Sequence, residues 1–315
     1  MPAHRTSSCT PPLPALLTTE VDCVTEQPEN VRRIEGAPLV WFITGCSTGF
    51  GRELSRAALA RGYRVVVTAR NPDDVRDIAQ GHEANALVLK LDVTNANDIR
   101  SAVSAAVSRF GRIDVLVNNA GIGYFAAVEE SDEAEVRRMF EVNVFGLGHM
   151  TQAVLPGMRE RRSGHIVNIS SIGGIRAFPA VGYYNATKFA VVGLSESLSL
   201  EVEPLGIKVT IVEPSGFRTD WAGRSANDAS VEISDYAETA GKNRRSIRGY
   251  SGKQPGDPVR AAAAIIKAVE SDEPPLHLLL GKAALKGANW KLDLLRQNFD
   301  AWQETTVGAD FPEGE

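Results

Sequence analysis

The chain has 315 residues, with 34 Lys+Arg against 39 Asp+Glu and a formal net charge of −5. That length allows one large or two small domains with a sizeable core, and 43% hydrophobic with 23% charged residues is an ordinary globular composition. Mild acidity argues against a nucleic-acid-binding face, which needs a clustered basic patch. No apolar run nears the roughly 20 residues of a membrane-spanning helix.

Cys9, Cys23 and Cys46 cannot build a disulfide framework, and neither they nor the five scattered histidines match a zinc spacing. The expectations are no metal and a reducing, cytoplasmic compartment. Pro11, Pro12, Pro14 and Pro28 break any periodicity in the first 38 residues. Leu13 to Leu17 is too short for a signal peptide, and Glu20, Asp22, Glu26 and Glu29 speak against a transit peptide. Residues 1–38 therefore read as a disordered extension.

From Leu39 onward, short runs rich in Val, Ile and Leu alternate with longer stretches of helical period. The runs are Leu39–Ile43, Tyr63–Ala69, Ala86–Leu91, Ile113–Val117, His165–Ile169, Ile207–Val212 and Leu276–Leu280. Continuous apolar runs of this length suit strands buried on both faces of a parallel sheet. Residues 51–61, 95–110, 131–161 and 184–203 are long enough for crossover helices. The expectation is an α/β fold, a Rossmann-type doubly wound parallel sheet of about seven strands with helices on both faces. It forms a single domain over 39–281, with a helical tail over 282–315. Residues 220–256 are polar, lack clear periodicity and read as a long loop, either functional or disordered.

In such a sheet, ligands bind at the carboxyl ends of the strands. After the first run comes Thr44-Gly45-Cys46-Ser47-Thr48-Gly49-Phe50-Gly51. Gly45 allows a tight turn, Gly49 lets backbone N–H groups approach a pyrophosphate, and Gly51 permits close packing where a helix starts. The second run ends in Ala69-Arg70. An acidic residue there would accept from a ribose 2′-hydroxyl, whereas Arg70 offers a fork for a 2′-phosphate, which favours NADP(H) over NAD(H). The third ends at Asp92-Val93, where Asp92 either accepts from an adenine amine or caps the next helix. The fourth ends in Asn118-Asn119-Ala120-Gly121, which suits either a chain passing close to a ribose or a plain turn.

The fifth run leads into Ser170-Ser171, and Tyr184 and Lys188 follow at i, i+4 on an expected helix. That spacing puts phenol and ammonium on one face, about 5–6 Å apart at Cβ. A phenol is a poor base at neutral pH, and moving its pKa by three units takes about 4 kcal/mol. A neighbouring cation such as Lys188 is one source of that stabilisation. Ser171 is placed to hydrogen-bond a substrate oxygen as charge develops.

Taken together and in this order, Thr44-Gly45-x-x-x-Gly49-x-Gly51, Asn118 to Gly121, Asn143, Ser171, Tyr184-x-x-x-Lys188 and Pro214 to Thr219 resemble the short-chain dehydrogenase/reductase family. The branch it looks like holds the hydroxysteroid and retinol dehydrogenases, which act on bulky apolar alcohols or ketones. The resemblance implies that Tyr184 is the general acid/base, Lys188 lowers its pKa and holds the nicotinamide ribose, and Ser171 polarises the carbonyl. Asn143 would hold the water of a proton relay. Ser47, Thr48, Phe50, Val93, Ala120, Pro214, Gly216, Phe217 and Thr219 join the residues above along the cofactor. It also implies a small-molecule carbonyl or alcohol substrate, and a homodimer or homotetramer formed through the helices starting near Asp132 and Tyr184.

Two departures stand out: the usual Pro-Gly is here Pro214-Ser215-Gly216, and the N-terminal segment is long. Two other readings use the same scaffold, a non-catalytic NADPH-binding regulator and a lyase or epimerase. The intact Ser171, Tyr184 and Lys188 oppose the first, and the absence of a second lobe opposes the second. Arg244-Arg245 could meet an acidic substrate group or stand as a solvated pair.

Overall fold

Val40–Ile43 (β1) is Val-Trp-Phe-Ile, and all four residues are fully buried. With no polar alternation, this strand can only sit where both faces are covered. In the computed structural model, which describes residues 33–34 and 36–311, β1 lies at the centre of a seven-stranded parallel sheet. The others are Arg64–Ala69 (β2), Ala86–Lys90 (β3), Val115–Asn118 (β4), Gly164–Ile169 (β5), Ile207–Pro214 (β6) and His277–Leu280 (β7). Their order across the sheet is β7-β6-β5-β4-β1-β2-β3. Phe42 stands between Val66 of β2 and Leu116 of β4. The strand order reverses between β1 and β4, and a crevice at such a switch point is where open α/β sheets bind ligands.

Side chains alternate across the sheet. Trp41 and Ile43 point into one core with Leu54 and Ala58 of Gly49–Ala60 (α1) and with Ile265 and Ile266 of a helix near the C-terminus. Val40 and Phe42 point into the other, against Ile99 and Ala102 of Ala96–Phe110 (α2) and against two later helices through Met150, Val154 and Leu198. Asn95 caps α2 by accepting from the N–H groups of Asn97 and Asp98, and Gly111 closes it at φ 84°.

The stretch over 131–161 is helical from Glu133 to Arg161, with a change of helical type in its middle. Glu133–Phe140 (α3) and Leu147–Arg161 (α4) flank a π-helical turn over Glu141–Gly146. Two long-range contacts fall on that turn. A Cβ on Gly146 would stand 2.7 Å from Val93, and Asn143 bonds both backbone groups of Ile122. Gly182–Val202 (α5) carries Tyr184 and Lys188.

Residues 220–256, expected as a loop, are largely built. They hold a strand over Ala226–Asp228 beside Gly123–Phe125, a π-helical turn over Ala237–Gly241 and the helix Lys242–Gly249 (α6). The apolar pattern does not show this because a cation organises the segment. Arg248 donates to the carbonyls of Ala222, Gly223 and Ala226 and to the Asp228 carboxylate, and lies 4.6 Å over the Phe125 ring. Arg248→Ala is expected to cost about 2 kcal/mol by urea unfolding and to open residues 220–250 to proteolysis. Arg248→Lys is expected to rescue little, because an ammonium cannot fork to several carbonyls. Wild-type protease resistance in the alanine variant would show that Arg248 does not organise this segment.

Pro258–Glu270 (α7), the helix packed beside α1, precedes β7, and Lys282–Ala301 (α8) follows it. Of the expected N-terminal extension, Arg33–Ile34 and Ala37–Pro38 pair as a short antiparallel ladder. The rest of that reading, with Cys9 and Cys23, lies outside the described residues. Among the described residues, no helix is long and apolar enough to cross a membrane, and no group of His, Cys, Asp or Glu side chains is placed to hold a metal ion.

Candidate active site

The carboxyl ends of β1, β2, β4, β5 and β6 open into one cleft of about 1030 Å³. One wall is the turn after β1. Gly45 has φ +71°, and a Cβ there would come within 2.9 Å of the Ala120 backbone. A Cβ on Gly51 would stand 2.5 Å from both the Gly45 carbonyl and the Asn119 side chain. These two glycines let the β1 and β4 tips close together. Thr44 and Asn119 pin them: Thr44 Oγ1 accepts from the N–H groups of Asn119 and Ala120 (2.9 and 3.0 Å), and Asn119 Nδ2 donates to the Thr44 and Gly45 carbonyls (both 2.8 Å). Thr44 is buried behind the wall, as is Gly51; Gly45, Ser47, Thr48, Gly49 and Phe50 line the cleft. Among the described residues no side chain caps α1, and Gly49 and Phe50 of its first turn line the cleft. Cys46 is inert here, because burial pushes its thiol up to about 11, and its Sγ donates to the Ile43 carbonyl.

At one end of the cleft, Arg70 leaves the tip of β2, is exposed and makes no ion pair among the described residues. Burial pushes the nearby Asp92 carboxyl up, but hydrogen bonds from the Thr94 N–H and hydroxyl (2.9 and 2.7 Å), aided by Arg70 and Lys90, outweigh it and leave the group below its ordinary value. Asp92 thus braces its own turn with one oxygen while lining the cleft beside Val93; the cap of α2 is Asn95.

At the other end, Ser171, Tyr184 and Lys188 meet. Ser171 Oγ accepts from the Gly173 N–H at 3.0 Å, and it and the Tyr184 ring edge lie 3.4 and 3.6 Å from where a Cβ on Gly173 would stand. Lys188 Nζ donates to the Ile169 carbonyl at 2.8 Å and lies 5.6 Å from the centre of the Tyr184 ring. Burial dominates both groups. It drives the phenol above its ordinary value, with Ser171 opposing it, and draws the Lys188 ammonium down to about 8. Tyr183 does not line the cleft; Tyr184 does.

Asn143 stands behind the wall rather than on it. Its Oδ1 accepts from the Ile122 N–H (2.8 Å), and its Nδ2 donates to the Ile122 carbonyl (2.9 Å) and to Thr187 Oγ1 (3.2 Å). Both amide protons are spent on bracing the chain, so the side chain positions the β4 loop against α5.

Pro214 at the end of β6, and Gly216, Phe217 and Thr219 after it, line the cleft. The unusual Ser215 is tied back to β7, its N–H and hydroxyl both donating to the Leu280 carbonyl (3.0 and 3.3 Å). Arg244 is buried in an ion pair with Glu232 and Arg245 donates to the Ala237 carbonyl, so neither reaches the cleft. Sequence reasoning did not single out Trp221, whose ring packs 4.7 Å from that of Tyr184, nor Asn185 and Gln254 on the same wall. An aromatic in a polar stretch was the one available signal for Trp221.

A family model described as short chain dehydrogenase matches residues 39–230. The chain belongs to the short-chain dehydrogenase/reductase family and is an oxidoreductase. It is 38% identical over 272 residues to an oxidoreductase named BOA17 from Botryotinia fuckeliana, covering 86% of this chain and 98% of that one. A crystal structure of a short-chain dehydrogenase from Streptomyces avermitilis shares 42% identity at TM-score 0.81, covering 86% of this chain and all of the other. A Burkholderia phymatum family member in complex with NAD shares 25% identity at TM-score 0.72, with 86% and 97% covered. A Thermococcus sibiricus alcohol dehydrogenase complexed with 5-hydroxy-NADP shares 26% at TM-score 0.64, with 77% and 95% covered.

Proposed function

We propose that this chain is an NADP(H)-dependent oxidoreductase that interconverts a neutral carbonyl compound and its alcohol, with Tyr184 as general acid/base. The observation that carries this reading is the meeting of Ser171, Tyr184 and Lys188 on one wall of a cleft that runs back to the glycine turn at the start of α1. The site fits a dinucleotide: side chains at Gly45 and Gly51 would close the turn, and Arg70 stands free for a 2′-phosphate. Solved relatives hold NAD or an NADP derivative, which supports a nicotinamide cofactor; Arg70 supports the phosphorylated form. The turn over 45–50 would bind the pyrophosphate, Asp92 and Val93 the adenine side, and Asn119 to Gly121 a ribose.

When bound, the nicotinamide supplies or accepts the hydride. Tyr184 holds its proton at neutral pH, because burial favours the uncharged phenol, and so is ready to protonate a developing alkoxide. Ser171 orients the substrate oxygen, and Lys188, cationic below about pH 8, stabilises the phenolate left behind. Ile122, Val142, Phe178, Val181, Trp221 and Ile247 give the substrate end an apolar lining. The rim charges are spent on each other, Arg138 on Glu135 and Arg224 on Asp220, which supports a neutral, bulky, apolar substrate. Phe145 and Phe189, exposed apolar side chains beside α4 and on α5, support a homodimer or homotetramer through these helices.

The pH dependence tests the proton assignment. Alcohol oxidation needs the phenolate, whose fraction grows with pH below the phenol's raised pKa. Oxidation kcat/KM is therefore expected to rise about tenfold per unit between about pH 6 and 8, while ketone reduction stays flat. Oxidation independent of pH over that range would mean that another group takes the proton.

A further inference from the structure

Ser171 and Tyr184 are joined by residues 172–183, and midway along that link Phe178 faces two ways. It lines the cleft, packed against the apolar cluster that includes Tyr184. It also packs against Ile172, Ala284 and Ala288, the last two on α8. Its main chain is held by amides: Asn185 Nδ2 donates to the Phe178 carbonyl (3.0 Å) and Asn243 Nδ2 to the Pro179 carbonyl (2.7 Å). Those bonds fix the backbone and leave the ring to be set by what it packs on.

Behind the ring lies a cation between two aromatics. The Arg176 guanidinium is 5.0 Å from the centre of the Phe178 ring and 4.3 Å from that of Trp290 on α8. Its Nε is buried with no hydrogen-bond partner among the described residues, so the two rings are what hold the group in place. The Arg176 N–H donates to the Ile172 carbonyl at 2.9 Å, which ties its stem to the turn that begins at Ser171. A glycine at 287 lets α8 come this close, since a Cβ there would stand 3.3 Å from Ile172 and 3.6 Å from Arg176 Cδ.

Trp290 is 48% exposed and does not line the cleft, so it reaches the substrate end only through Arg176 and Phe178. It also lies outside residues 39–230, the stretch that carries the family's motifs.

We propose that Trp290 is a positioning residue: through Arg176 it holds the Phe178 ring on the substrate wall and so sets a preference for bulky neutral ketones over small ones. A bulky ring system reaches that wall and gains from its being fixed beforehand, whereas a small ketone held at Ser171 and Tyr184 does not. The assignment rests on the carbonyl-reduction reading above.

Its test is steady-state reduction of 2-acetylnaphthalene and of 2-butanone by the full-length protein at saturating NADPH. Wild-type protein is expected to favour the naphthyl ketone in kcat/KM. Trp290→Ala is expected to raise KM for that ketone about tenfold at a kcat within about twofold of wild type. Its kcat/KM for butanone and its NADPH binding are expected to stay within about twofold, which shows that the variant is folded. Trp290→Phe keeps a ring face over the guanidinium and is expected to restore most of the loss. Phe178→Ala is expected to raise the naphthyl-ketone KM as well. Adding Trp290→Ala to it should change that KM by less than about twofold, because the tryptophan acts through the phenylalanine.

A naphthyl-ketone KM unchanged in Trp290→Ala, equal losses for the two ketones, losses that multiply in the double variant, or a wild-type preference for butanone would overturn the assignment and leave the carbonyl-reduction reading standing. A wild-type protein that reduces no neutral ketone would overturn both.

Discussion

Tyr184→Phe is expected to lower kcat for ketone reduction by about 10³-fold while NADPH binding stays within about twofold of wild type. The substitution keeps the ring, its 4.7 Å packing on Trp221 and its burial; it removes only the hydroxyl that meets Ser171. Lys188 keeps its hydrogen bond to the Ile169 carbonyl and Ser171 keeps the Gly173 N–H, so neither partner is stranded. The loss then reports proton transfer and not collapse of the site. It falls on kcat and kcat/KM together, as for an interaction made in the transition state. A fall in NADPH affinity with kcat preserved would instead make the phenol a binding group.

Arg70→Ala is expected to weaken NADPH about thirtyfold, roughly 2 kcal/mol, and NADH by less than about twofold. Arg70 makes no ion pair within 4 Å among the described residues and acts on Asp92 only at longer range, alike for both cofactors, so the difference between NADPH and NADH reports the 2′-phosphate. Because the side chain is exposed, the difference shrinks as salt is added. Equal losses for the two cofactors, read by fluorescence titration, would remove Arg70 from the 2′-phosphate site.

The features legible in the sequence follow local rules. Strands buried on both faces leave continuous apolar runs, and β1 to β7 coincide with those runs to within a few residues. The convergence of Gly45, Asn119, Ser171 and Gly216 follows from one further rule, that ligand-bearing residues stand just past strand tips. What stayed hidden depends on contacts between distant residues. The π-helical turn over 141–146 coincides with Val93 against Gly146 and with Asn143 clasping Ile122, and neither contact leaves a mark in helical periodicity. Residues 220–256 are ordered by the guanidinium of Arg248 reaching carbonyls, which no hydropathy pattern records. Thr44 and Asn143 belong to the expected motif yet stand behind the cleft, since a motif fixes residue type and spacing but not which side of the wall a side chain takes. Lys188 is likewise on the expected face of α5, but burial raises the Tyr184 phenol, an effect that spacing alone could not weigh.

The most direct measurement is a single turnover with NADPH bearing deuterium at the transferable position of nicotinamide C4, mixed with a neutral aryl ketone. Wild-type protein should deliver one deuterium to the carbinol carbon of the product. Tyr184→Phe should hold the labelled coenzyme in the cleft with the label still on it over the same interval. Labelled alcohol formed at the wild-type rate by the phenylalanine variant, or no label transferred by wild-type protein from any neutral ketone, would contradict the account.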